Sequence, residues 1–460
     1  MNLQARLLFL LAYCSATSWA LIPHINPFKL QEVEYHGDAV GEPLILTPLL
    51  EQGRIKDARI AASVSLSGCA EDITSYAGYF TVNKQYNSNL YFWFFPSTSD
   101  YKKDPVVLWL QGGPGGPSMY GLLMENGPFT VNKDLELELR NNSWTNSHSV
   151  IYIDSPVGTG FSFTENERGY ARNQSQVGSE LYEALQQFFQ LFPEIRKNDF
   201  FVTGESYAGK YVPALAYTIH KNNPDAQEKI NLKGIAIGDG YIDPEHQVGY
   251  AEYLYQLGLV DKMSSNVIKY LEDKAATYIS RGDYIKSKEV TDEAFNIIME
   301  KTKVNIYNYL QQGNSVIGED LMKEFLNKHI VRRAIHVGRT TFGSNKVYHY
   351  LSEDIPRSIA PWFVEVANNY RVLLYTGQLD IIVAYPLTLN FLKHVEFRDI
   401  QKYHKAQRKI WYVGRELAGY SKNAGNFTEV LVRNAGHMVP FDQPKWAENL
   451  ITRFTRNKPF

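Results

Sequence analysis

Cysteine is nearly missing from this chain. Only Cys14 and Cys69 occur among 460 residues, which excludes a scaffold stapled by several disulfides. Cys14 falls in a stretch that reads as an export signal, so the mature chain would keep one thiol and close no internal disulfide. Cys69 reads as a buried structural thiol, because a catalytic thiolate requires a neighbouring base. An excess of one charge is missing too: 47 Lys and Arg stand against 49 Asp and Glu, a net charge of −2. No global field draws the chain to nucleic acid or to an anionic membrane, and no long Lys/Arg cluster marks a nucleic-acid surface. Beyond the first twenty residues no stretch reaches the roughly 18 apolar residues of a membrane span. Internal repeats and low-complexity tracts are absent.

What is present is an ordinary globular composition, 44% hydrophobic and 13% aromatic, with ample material for a large core. Residues 1–20 have the parts of an export signal: Arg6, the apolar run from Leu7 to Ala12, and Ser18-Trp19-Ala20 at the cleavage positions. Three sequons, at Asn141, Asn173 and Asn426, fit that route as glycan acceptors. The last five residues, 456–460, are not an ER-retrieval sequence. The expected destination is the cell exterior or a lysosome-like compartment.

Short apolar runs at 90–95, 106–110, 150–153, 200–203, 235–237, 372–375 and 430–432 read as buried strands. Leu181, Ala184, Leu185, Phe188 and Phe189 follow helical spacing over 178–192. The alternation predicts a mostly parallel α/β sheet. Residues 21–75, punctuated by Pro and Gly, read as an irregular arm. Residues 243–350, rich in Lys, Asp, Glu and Tyr, read as amphipathic helices without a clear strand. The expected organisation is therefore a signal (1–20), an arm (21–75), a first core part (76–242), a helical insertion over the sheet (243–350) and a second core part (351–460).

The stretch GESYAGKY, 204–211, admits two chemistries. As Gly204-x-x-x-x-Gly209-Lys210 it approaches a phosphate-binding loop. That loop needs Ser or Thr after the Lys, and Tyr211 stands there; Glu205 would also put a carboxylate against the phosphates. As Gly204-x-Ser206 it is a nucleophile elbow, with a strand before it, helix-like sequence after it, and Ala208 in place of the usual second Gly. A serine hydroxyl needs a base, an orienter for the base, and donors for the oxyanion. Asp380 follows the strand 372–375, where a helix cap would be its bland role. His437 follows the strand 430–432, in a loop at a strand's carboxyl end. Ser206, Asp380 and His437 thus occur in the order, and at the strand ends, that such a sheet supplies. WLQGGPGGPS, 109–118, adds a Gly-rich turn after the strand 106–110, where Gly112 and Gly113 let backbone N–H groups approach a ligand.

WLQGGPGG, IDSPVGTGFSF (153–163), GESYAGKYVP, the GDG around Asp239, YTGQLD and AGHMVPFDQP, in order from about residue 75 to 460, resemble the serine carboxypeptidases, most of all their vitellogenic carboxypeptidase-like members. The resemblance implies an α/β-hydrolase fold with a helical cap. It also implies removal of C-terminal residues from peptides and proteins with a free C-terminus, usually in acid. By the family pattern Ser206, Asp380 and His437 match the triad, and Gly113 and Tyr207 match the oxyanion donors. Trp109, Gln111, Glu125 and Glu205 match the group that receives the substrate's terminal carboxylate. No metal or cofactor is expected. Pro117 departs from the family's usual Ser, and the family's disulfides are absent, so packing alone is expected to hold the cap. Two Glu facing an anionic terminus repel it unless they share a proton, which their proximity would favour. An acyltransferase using the same triad, and an idle binding or protective protein, are the alternatives.

Overall fold

The computed structural model describes residues 32–37, 40–66, 71–313, 315–343 and 346–460. The expected signal, Cys14 and Cys69 lie outside the described residues. The frame is a ten-stranded sheet. Its strands are β1 (Tyr76–Asn83), β2 (Ser88–Phe95), β3 (Val106–Leu110), β4 (Ser149–Ile153), β5 (Phe200–Glu205), β6 (Leu232–Gly238), β7 (Arg371–Gly377), β8 (Lys409–Val413), β9 (Glu416–Ala424) and β10 (Phe427–Val432). They lie in the order β1-β2-β4-β3-β5-β6-β7-β10-β9-β8. The six strands from β4 to β10 in that order run parallel, and antiparallel pairs close both edges.

The seven apolar runs all became strands, and the reason is visible in β2. Side chains alternate between faces, so Leu90, Phe92 and Phe94 join one core while Tyr91, Trp93 and Phe95 join the other. With both faces covered, every residue of β2, β3, β4, β5 and β10 is buried. An interior strand covered on both faces is therefore mainly apolar, as the run 106–110 is. Of the three strands the apolar runs did not reveal, β1 and β8 are the two edges of the sheet and β9 lies beside β8. β8 exposes three of its five residues, Lys409, Ile410 and Tyr412, and β9 mixes polar and apolar positions.

Helix α1 (Gln174–Leu191) begins where Asn173 accepts a hydrogen bond from the Gln176 amide at 3.0 Å. Its apolar stripe drives Phe188 against Phe92 and Phe94, with ring centroids 6.2 and 4.9 Å apart. Helix α2 (Ala208–Asn222) packs beside it and contains Pro213 in its interior. The arm is more ordered than its Pro and Gly content suggested: Thr47–Glu51 and Ile55–Ala62 are helical.

Over the carboxyl ends of the strands lie α3 (Tyr250–Gln256), α4 (Lys262–Ser280) and α5 (Tyr284–Thr302). Leu271 and Ala275 of α4 meet Val290 and Ala294 of α5. Packing is not the only restraint here. The Glu272 carboxylate accepts backbone N–H groups of Gly249, Tyr250 and Ala251 at 2.5, 2.7 and 3.3 Å, an anion seated on the first turn of α3. The region also holds a small hairpin, Val304–Asn305 with Asn308–Gln312, where no strand was expected. Its turn has a structural use: the Ile306 carbonyl accepts the Ile381 and Ile382 amides, and the Tyr307 carbonyl accepts the His437 amide at 2.7 Å.

Among the described helices, none is long and apolar enough to cross a membrane. The three sequon asparagines are exposed. Phe188→Ala, at a fully buried ring, should lower unfolding free energy by about 3–5 kcal/mol. Urea denaturation followed by circular dichroism checks this; a loss below 1 kcal/mol would mean that α1 is not held by this cluster.

Candidate active site

β5 ends at Glu205, and Ser206 turns the chain with φ +63. Left-handed backbone at a non-glycine residue costs about 1–3 kcal/mol and persists only where the surroundings impose it. They do so here. The Ser206 amide donates to the Gly238 carbonyl at 2.9 Å, while the Ser206 carbonyl accepts the Gly209 and Tyr241 amides at 2.8 and 2.9 Å. Gly204 is required by close approach, since a Cβ there would lie 2.4 Å from the Leu110 carbonyl oxygen and 2.7 Å from Ala208 Cβ.

Tyr207 caps α2, and its hydroxyl donates to Asp354 Oδ2 at 3.2 Å. The Gly-rich turn after β3 presses on this corner. A Cβ on Gly112 would meet Ser206 Cβ and the Tyr207 nitrogen, each at 2.6 Å. Gly113, Ser206 and Tyr207 border one cavity, so the two expected oxyanion donors and the hydroxyl are neighbours. Pro117 is not on that wall. It lies against Gly160, where a Cβ would sit 2.9 Å from the Pro117 Cβ.

Asp380 and His437 come from the loops after β7 and β10, which are adjacent parallel strands. Both side chains are fully buried, and His437 Nδ1 lies 2.8 Å from Asp380 Oδ2. The Ile382 and Val383 amides donate to the Asp380 carboxylate at 2.9 and 3.2 Å. With Nδ1 assigned as the donor to Asp380, Nε2 carries the lone pair. Among the described residues Nε2 has no hydrogen-bond partner. The structure therefore joins Asp380 to His437 but leaves the link from Ser206 to the imidazole open, as unliganded sites often do.

Trp109, Gln111, Glu125 and Glu205 form one buried cluster. Trp109 Nε1 donates to Gln111 Oε1 at 2.9 Å, and Gln111 Nε2 donates to Glu125 at 3.1 Å and to Glu205 at 2.7 Å. Glu125 stands on the π-helical turn Gly121–Asn126. The two carboxyls are within hydrogen-bonding reach of each other, a contact that requires a proton on one of them. Burial pushes Glu125 up to about 7, against hydrogen bonds from Glu205 and Gln111 that lower it. Burial and then the charge of Glu125 raise Glu205 well above the usual carboxylate range. Because the folded values are raised, these groups favour folding most below the unfolded carboxylate range; that contribution fades as pH rises through about 7 for Glu125 and only at higher pH for Glu205. All four residues are at most 1% exposed.

The cavity runs from Ser206 to the helices above the sheet. Its walls include Tyr241, Val248, Leu271, Phe295, Ile298 and Ile382, so the space beside the hydroxyl is mainly apolar.

Three residues with no role in the motif reading belong here. Asp442 accepts the Gly436 amide at 2.6 Å and Asn308 Nδ2 at 3.0 Å, fixing the loop that carries His437. Tyr307 packs its ring 5.4 Å from the imidazole. Asp239, at the end of β6, has a carboxylate oxygen within 4.8 Å of ligand atoms of both Asp380 and His437. The motifs GDG and AGHMVPFDQP contain the two acids, but nothing local in them shows what the acids face.

A parallel sheet that turns a strained serine from β5 into α2, with a buried Asp–His pair at later strand ends, defines an α/β-hydrolase. The chain belongs to the serine carboxypeptidase family: the family profile described as serine carboxypeptidase matches residues 68–457. It is 52% identical to the venom serine carboxypeptidase of Apis mellifera, over 92% of this chain and 93% of that protein. It is 45% identical to the vitellogenic carboxypeptidase of Aedes aegypti, over 90% of each, and 46% identical to the probable serine carboxypeptidase CPVL of Homo sapiens, over 92% and 91%. The solved structure of Kex1(Δ)p, a prohormone-processing carboxypeptidase from Saccharomyces cerevisiae, superposes with a TM-score of 0.78. That match is 23% identical and covers 87% of this chain and 96% of that one, a likeness of fold.

Gly112→Ala should slow covalent labelling by a fluorophosphonate about a hundredfold or more, because the added methyl displaces the turn from Tyr207. Labelling at the wild-type rate, with circular dichroism unchanged, would show that this turn does not shape the site.

Proposed function

We propose that this protein is a serine-type carboxypeptidase that releases C-terminal residues from peptides and proteins through an acyl-enzyme. The observation that carries the reading is the adjacency of two devices. Glu205, in the buried Gln111–Glu125–Glu205 cluster, is the residue immediately before the strained Ser206.

The Ser206 hydroxyl attacks the last peptide carbonyl. His437 Nε2 takes its proton, while Asp380 holds the imidazole through Nδ1 and stabilises the imidazolium that forms. The Gly113 and Tyr207 amides hold the oxyanion. Collapse of the tetrahedral intermediate breaks the C–N bond, and the imidazolium returns the proton to the leaving amine. Water then attacks the acyl carbonyl, with His437 as base again, and frees Ser206.

Trp109, Gln111, Glu125 and Glu205 receive the terminal carboxylate. Gln111 spends both amide hydrogens on the Glu pair, so the donor offered to substrate is the proton the pair shares. Because these four residues are at most 1% exposed, binding of the terminus requires the cluster to open. The apolar cavity beside Ser206 takes a bulky apolar side chain next to the cleaved bond. Acid preference follows from the pair: Glu125 gives up its proton near 7 while Glu205 keeps the shared one to higher pH, so the pair becomes increasingly anionic toward the terminus from about 7 upward. The expected export signal and the exposed Asn141, Asn173 and Asn426 support a glycosylated protein of the secretory pathway, secreted or in a lysosome-like compartment.

Ser206→Ala should abolish both turnover of a blocked dipeptide and fluorophosphonate labelling; turnover that survives would place the nucleophile elsewhere. For wild type, the Michaelis constant for free-carboxylate peptides should rise as pH passes about 7, whereas amidated peptides should show no such rise. Glu125→Gln with Glu205→Gln should flatten the rise. If the double variant keeps the wild-type profile, a shared proton is not what recognises the terminus.

A further inference from the structure

Asp239 is fully buried and directly follows Gly238, whose carbonyl holds the Ser206 amide. Its backbone is left-handed, φ +44, and its amide donates to the Tyr375 carbonyl at 2.8 Å. One carboxyl oxygen, Oδ1, accepts the Gly377 amide at 2.8 Å. That leaves Oδ2, which no N–H or O–H group of the described residues reaches, and the Asp239 carboxyl faces that of Asp380, with an oxygen of each within 4.8 Å. Asp380 itself already accepts His437 Nδ1 and two backbone amides. Two carboxylates in such contact would repel in a dry site, whereas one carboxylic acid and one carboxylate form a short, charge-assisted hydrogen bond.

We propose that Asp239 is a positioning residue of the hydrolytic site: held as a carboxylic acid, it donates its proton to Asp380 and fixes that carboxylate against His437, so that loss of this proton switches the site down at high pH. The inference rests on the reading of Ser206, Asp380 and His437 as nucleophile, orienter and base.

The neighbouring groups make the proton, rather than a cation, the neutralising species. From β7 and its loop come Tyr375 and Asp380, from the loop after β10 His437, from the following helical turn Asp442, and from β5 Glu205. Three of these five are carboxyl groups, Tyr375 is a phenol that burial keeps protonated, and His437 points Nδ1 at Asp380 and must keep Nε2 free for Ser206. Burial, then the charge of Asp380, raises Asp239 well above the usual carboxylate range against the lowering effect of the Gly377 amide. When Asp239 does ionise, a second negative charge faces Asp380. The carboxylates separate, and the imidazole loses its fixed partner. This control differs from that of Glu125 and Glu205, because it acts on acylation and not on recognition of the terminus.

Fluorophosphonate labelling, which involves no terminal carboxylate and so bypasses the Glu pair, tests the idea on the full chain. Labelling rates are measured from pH 4 to pH 10 for wild type, D239N and D239V. D239N keeps a donor that cannot ionise. It should label within about threefold of wild type in acid and hold that rate at the alkaline end, where wild type declines. D239V has no donor and should label at least tenfold more slowly at every pH, with the deficit in the rate of modification and not in probe affinity. A D239N profile that overlies wild type throughout would overturn the proposal, as would D239V labelling at the wild-type rate. Loss of wild-type labelling on chelation, spared in D239N, would also overturn it in favour of a bound cation. If D239V does not fold, the D239N profile decides alone. Labelling of Ser206→Ala would instead sink the underlying triad reading, so the two failures are distinguishable.

Discussion

Removing the carboxyl groups of Glu125, Glu205, Asp239 and Asp380 from water is the constraint on which the rest of this site depends. A lone buried carboxylate costs several kcal/mol unless hydrogen bonds or a counter-charge compensate it. Asp380 is compensated by an imidazole and two backbone amides. Glu125 and Glu205 share the Gln111 amide group and face each other. Asp239 has one amide and the Asp380 carboxyl. The remaining compensation is protonic, and that makes the site chemically different in acid and in neutral solution.

The sheet makes this arrangement possible at tolerable cost. Parallel strands deliver their carboxyl ends to one edge, and β3, β5, β6, β7 and β10 are consecutive neighbours there. The strain at Ser206 is repaid by three backbone hydrogen bonds to adjacent loops. The turn after β3 can press against the elbow only because Gly112 has no side chain to meet Ser206 and Tyr207. Each loop is anchored in the sheet, so a hydroxyl bordering the cavity, a buried acid pair and an imidazole can be held in register without a disulfide.

The region above the sheet serves the chemistry in two ways. Helices α4 and α5 close an apolar cavity over Ser206, with Leu271, Phe295 and Ile298 on its walls. The hairpin turn at Ile306 and Tyr307 accepts amides of the Asp380 loop and of His437. A change in the cap would thus reach the Asp–His pair through backbone bonds as well as through the cavity wall.

The interior strands were legible from sequence because a strand buried on both faces is built mainly of apolar residues. The elbow was legible because a tight strand-to-helix turn demands small residues around its serine, and the order Ser206, Asp380, His437 follows from successive strand ends. The edge strands β1 and β8, and β9 beside β8, were not, since strands with solvent-facing positions mix polarity as loops do. The motifs nominated Glu125 and Glu205 through family likeness, but only folding put the π-helical turn carrying Glu125 beside the end of β5. The GDG motif marked Asp239 without giving it a role: its meaning lies in facing Asp380, which hydrogen bonding between β6 and β7 decides. Local pattern determined which segments pair and turn. The contacts between acids far apart in the chain were decided by strand order, because only the sheet brings their loops to one edge.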